Sequence, residues 1–88
     1  MVRQSMQIAL PHGLEARPIA ELVQIASKYE SRIYIEIGEK RVNAKSIMGM
    51  MSLSLDNGDE LIISAEGGDE EAALQEMEAF ITGPGKEE

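Results

Sequence analysis

The side chains of this sequence able to do chemistry gather in two short segments. The first, Pro11-His12-Gly13-Leu14-Glu15-Ala16-Arg17-Pro18, holds the only histidine together with a carboxylate and an arginine. The second runs from Asn43-Ala44-Lys45-Ser46 into Ile47-Met48-Gly49-Met50-Met51-Ser52-Leu53, so that a serine precedes an apolar, methionine-rich stretch. A neutral imidazole is nucleophilic at about pH 7 and readily gives up a phosphoryl group, which suits histidine to phosphoryl relay. A carboxylate in such a position repels the incoming phosphoryl donor. The planar donor fork of Arg17 suits a carboxylate or phosphate on another molecule. Ser46 suits a helix N-cap, and a phosphoryl group there would place roughly two negative charges at a helix start that tolerates an anion. With no cysteine in the chain, disulfides, thiolate metal sites and thiol catalysis are excluded.

Elements that position these residues follow from the period of the apolar side chains. Met6, Ile8 and Leu10 alternate with polar or small neighbours, as in a strand with one buried face, until Pro11-His12-Gly13 breaks the pattern. Ala16, Ile19, Ala20, Val23 and Ala26 then form one helical stripe, with Pro18 tolerable in the first turn and an end expected near Tyr29 to Ser31. Arg32 to Ile37 alternates again, and Gly38-Glu39 turns the chain into a second strand, Lys40 to Asn43. Ile47 to Leu53 reads as a short helix weakened by Gly49, which costs about 1 kcal/mol relative to alanine. After the turn Asp56-Asn57-Gly58-Asp59, Glu60 to Ala65 reads as a buried strand. A last helix from near Asp69 is expected to bury Ala73, Leu74, Met77, Phe80 and Ile81, and to stop at Gly83-Pro84-Gly85 before a frayed tail over 83–88.

The order βαββαβα predicts an α+β fold with one helical layer on a mostly antiparallel sheet. From pattern alone a ferredoxin-like split βαβ sheet is an almost equal expectation. Eighty-eight residues suit a single domain over 1–88 with an aliphatic core, since there is one Phe and no Trp. No apolar run approaches a membrane span, and Met1 to Leu10 does not read as a signal peptide, so a cytoplasmic protein is expected. A formal charge of -8 opposes direct contact with nucleic acid.

Both segments resemble the HPr family, in which the loop around Glu15 normally carries a phosphoryl-accepting histidine and the segment around Ser46 carries a regulatory phosphorylation position. The resemblance spans nearly the whole chain. It favours an HPr-like two-layer open-faced sandwich, a four-stranded antiparallel sheet with its helices on one face. Glu15 in place of the histidine implies that the chain is not competent for histidine phosphoryl relay. The chain is most similar to the Crh-type members, which also lack the histidine; there the usual replacement is glutamine, so Glu15 departs from that pattern too. A carboxylate at a helix start is favoured by the macrodipole by roughly 0.3–1 kcal/mol, and this structural role ranks ahead of mimicry of a phosphohistidine. The same resemblance implies carbon catabolite repression: phosphorylation of Ser46 by HPr kinase/phosphorylase, then binding to a transcription regulator of the catabolite control protein A type through Arg17, Ile47, Met48 and Met51. Met50 and Leu53 are assigned to the buried side of that helix. No enzymatic activity, metal or cofactor is expected. A phosphocarrier component of the sugar phosphotransferase system, using His12 or an acyl phosphate on Glu15, is the alternative, and a ligand-binding or structural ferredoxin-like domain a remote third. Pro11-His12-Gly13 is also a hinge at which a homodimer could exchange its first strand.

Overall fold

The computed structural model describes residues 1–83. The elements are β1 (Val2–Gln7), α1 (Ala16–Ser27), β2 (Arg32–Ile37), β3 (Lys40–Asn43), α2 (Ile47–Met51), β4 (Glu60–Glu66) and α3 (Glu70–Ile81). They make a four-stranded sheet in the order β1-β4-β2-β3, with every neighbouring pair antiparallel. β1 is therefore an edge strand, separated from β2 by β4. A ferredoxin-like sheet has its first and third strands inside, so this order excludes it.

Burial follows the alternation of the strands. Ile33 and Ile35 of β2, Val42 of β3, Leu61, Ile63 and Ala65 of β4 and Met6 of β1 turn inward. They join Ile19, Leu22 and Ala26 of α1, Met50 of α2, and Ala73, Met77 and Ile81 of α3 in one aliphatic core. On the opposite face Arg3 reaches across β4 to Glu36, 2.7 Å from Nη2 to Oε1, and Arg41 lies over the ring of Tyr34. The two-residue turn between β2 and β3 has Gly38 at φ +58°, a conformation open to glycine at little cost.

Several boundaries differ from the sequence-based expectation. β1 stops at Gln7, yet Ile8 and Leu10 remain buried: the chain keeps its direction, with the Ile8 amide donating to Asp59 O at 2.8 Å and the Ala9 amide to Ile81 O at 2.8 Å. α1 ends at Ser27 and buries Ile19, Leu22 and Ala26, whereas Ala20 and Val23 are half-buried and Ala16 is exposed. Leu22, missing from the expected stripe, is fully buried because α1 packs against both α2 and α3, which rotates its inner face. Leu74 and Phe80 are half-buried at the margin of α3 and not in its core. α2 is shorter than expected, and Leu53 is buried beyond its end. α3 ends at Ile81 with Gly83 at φ +106°; the remainder of the expected tail, 84–88, lies outside the described residues.

Candidate functional site

Glu15 is the N-cap of α1. Its backbone is extended (φ -89°, ψ -177°) and its carbonyl accepts the first helical bond, from Ile19 N–H at 3.0 Å. Its side chain is exposed and makes no cap hydrogen bond. Pro18, at the third helical position, has no amide to leave unpaired. Arg17 is exposed and forms no ion pair among the described residues, so the local pairing with Glu15 or Glu21 open to it is not made. His12 is exposed in the turn before the helix. His12, Glu15, Arg17 and Glu21 share the rim of an open cleft of about 400 Å³, whose apolar part includes Leu10 and Phe80. Nothing in the sequence placed Phe80 here, because its spacing in α3 also fits the core.

The loop bearing Glu15 is clamped to the chain that leaves α2. Leu14 N–H donates to Leu55 O at 2.9 Å. Gly13 turns at φ +69°, and a Cβ there would lie 2.8 Å from Asp56 Cα, so glycine is required both by conformation and by the close approach of the backbones. The two chemistry-bearing segments are thus neighbours in space, and α1 also packs directly on α2.

Ser46 is the N-cap of α2, its Oγ accepting Gly49 N–H at 3.1 Å. The approach to it is braced. Asn43 Oδ1 accepts Lys45 N–H at 2.8 Å, and Lys45 Nζ donates to Tyr29 O at 2.6 Å, tying the end of α1 to the start of α2. Tyr29 in turn donates its hydroxyl to Glu76, which raises the tyrosine pKa; Lys28, 2.6 Å away, and then Tyr29 hold the Glu76 carboxyl below its ordinary value. At the other end of α2, Lys40 Nζ donates to Ser52 O at 3.0 Å. A Lys40 and Lys45 role as braces was not legible in the sequence, because both bonds join residues distant along the chain.

The short helix presents a divided surface. Met50 is fully buried, while Met48 is 83 % exposed, Met51 54 % and Ile47 51 %. Among the described residues, these three and Met1 are the exposed large hydrophobic side chains. Ser46 therefore lies beside a contiguous apolar stretch of flexible, polarizable side chains, on the helix that packs against α1.

The sheet order, the loop ahead of α1 and the serine-capped α2 define an HPr-type domain, and the chain belongs to the HPr family: residues 2–83 match the family model described as the PTS HPr component phosphorylation site. It is similar to the HPr-like protein Crh of Bacillus subtilis, 44% identical over 92% of this chain and 95% of that protein. Among solved structures it is similar to a phosphocarrier protein HPr from Bacillus anthracis (TM-score 0.89, 44% identity, 92% of this chain and 96% of that one). It is also similar to Bacillus subtilis Crh in a crystal structure described as a swapped, intertwined dimer (TM-score 0.73, 45% identity, 91% and 92% covered).

Proposed function

We propose that this protein is a regulatory HPr-like protein of carbon catabolite repression, phosphorylated on Ser46 by HPr kinase/phosphorylase and, in that form, the corepressor of a transcription regulator of the catabolite control protein A type. The observation that carries the reading is Ser46 capping α2 beside the exposed side chains of Ile47, Met48 and Met51. Arg17, which forms no ion pair among the described residues and lies on the helix next to α2, extends that surface with a donor fork. The relatives named Crh support the regulatory assignment, one of their structures being described as a catabolite repression protein. The negative charge of this domain fits a role in which the regulator and not this chain touches DNA.

In this reading Glu15 ends histidine relay. By the resemblance the carboxylate takes the place of the family's histidine, and it has no neighbouring cation in an ion pair among the described residues. The protein is then a binding partner in the cytoplasm and not an enzyme. A homodimer that exchanges β1 about Pro11-His12-Gly13 belongs to the same reading, as the swapped Crh dimer does for that relative.

A titration of the regulator with unmodified and Ser46-phosphorylated protein tests the assignment. Tighter binding of the phosphorylated form is expected, and equal affinity of the two forms would overturn it. Incubation with the general phosphotransferase enzyme and phosphoenolpyruvate tests the rival carrier reading, which His12 keeps open by standing in the same cleft as Arg17. Acid-labile phosphate on His12 would establish that rival.

A further inference from the structure

Gly49 lies inside α2 with a φ outside the left-handed region, so its backbone does not call for glycine, and helix propensity favours alanine. Its surroundings do call for it. A Cβ at position 49 would lie 3.3 Å from Ser46 Oγ, 3.5 Å from Ser46 Cβ and 3.6 Å from Val42 Cβ. The first distance is tighter than ordinary van der Waals contact. Val42 belongs to the core and bounds the space from β3, so an added methyl group displaces the serine hydroxyl before it displaces the sheet. The same residue supplies the amide that Ser46 Oγ accepts, at 3.1 Å.

We infer that Gly49 is a positioning residue for the modification of Ser46: its amide holds the hydroxyl in one orientation, and its missing side chain keeps the flank of that hydroxyl open to the transferring phosphoryl group. The inference rests on the reading of Ser46 as a kinase substrate. In the step concerned, Ser46 Oγ attacks the terminal phosphorus of a nucleoside triphosphate bound to the kinase. The new O–P bond forms as the bond from that phosphorus to the bridging oxygen breaks; the nucleoside diphosphate leaves with the bond electrons, and the hydroxyl proton passes to a base on the kinase. Such a displacement is in line, and its rate depends on where the attacking oxygen stands. With the methyl group of alanine at position 49, Oγ has to move by a few tenths of an ångström, which strains its bond to the residue-49 amide and turns it from its orientation, although the rest of the recognition surface is unchanged.

The test is Gly49→Ala made in two backgrounds, with Ser46 present and with Ser46→Ala. In the Ser46 background, phosphorylation by HPr kinase/phosphorylase is expected to lose about tenfold in kcat while KM stays within about twofold, the signature of a misplaced nucleophile and not of weaker docking. Thermal unfolding supplies a second readout that needs no kinase. Without the serine hydroxyl, Gly49→Ala is expected to raise Tm by about 4–8 °C, the gain in helix propensity for a domain of this size. With Ser46 present the gain is smaller, because the cap bond is strained as the propensity is gained. An equal gain in both backgrounds would overturn the contact. An unchanged kcat would overturn the positioning role alone and leave the kinase reading standing. Failure of the kinase to label the unaltered protein would overturn that reading and the positioning role with it.

Discussion

Ser46 and Glu15 are both helix N-caps, and they differ in what their side chains do there. Ser46 Oγ accepts an amide; the Glu15 carboxylate accepts none. A longer side chain reaches its own helix start less well than serine or aspartate, which is why glutamate is not among the favoured caps. Ser46→Ala is accordingly expected to lower unfolding free energy by about 0.5–2 kcal/mol in a urea titration, and to abolish kinase-dependent labelling. Persistent labelling on another residue would move the site. Glu15 keeps only the weak favour of the helix dipole, screened by solvent at its exposed position. Glu15→Gln is therefore expected to leave the affinity of the phosphorylated protein for its regulator within about twofold, as for an exposed charge with no ion-pair partner among the described residues. A change above about tenfold in that titration would instead mark the carboxylate as a constant imitation of phosphohistidine.

At the scale of elements, polar side chains stitch together segments that are far apart in sequence. Asp69, ahead of α3, does not cap its own helix; it accepts the amides of Glu30 and Ser31 and the Ser31 hydroxyl, fastening the turn between α1 and β2. The Ser31 hydroxyl foremost, then the Glu30 amide, hold its carboxyl below the ordinary 3.8. Arg3 does the same for Glu36, the Gly67 amide for Glu70, and Lys28 for Glu76, each below the ordinary 4.5. All four carboxyl groups are thus more acidic folded than unfolded. Their contribution is complete above the unfolded values and is lost as pH falls through the folded ones, so urea midpoints are expected to be level above about pH 5 and to fall below about pH 4. A midpoint unchanged at about pH 3 would show that these bonds do not support the fold. The period of the strands and helices was readable, since it depends on near neighbours, but these stitches were not. Asp69 is the helix start that the sequence suggests, its carbonyl accepting Ala73 N–H at 3.0 Å, but its side chain is the partner of another loop.

For the whole molecule, the close approach of Gly13 to Leu55 and Asp56 fastens the loop between β1 and α1 to the chain that leaves α2. Alanine there would face both a left-handed φ and the Asp56 backbone at 2.8 Å, which penalises the closed chain path. Strand exchange at this hinge would open that path. Gly13→Ala is expected to shift the protein from monomer toward dimer in light scattering at high concentration, and a purely monomeric mass would count against exchange at this hinge. By itself the sequence determined the βαββαβα order, the aliphatic inner face of each strand and the N-cap at Ser46. Those properties reside in single residues and their near neighbours. Only the tertiary structure decided that β1 is an edge strand beside β4, that Leu22 is fully buried where Val23 is half-buried, and that Phe80 opens onto the Glu15 cleft. Each of those depends on which distant segment packs alongside, and packing between distant segments leaves no period in the chain.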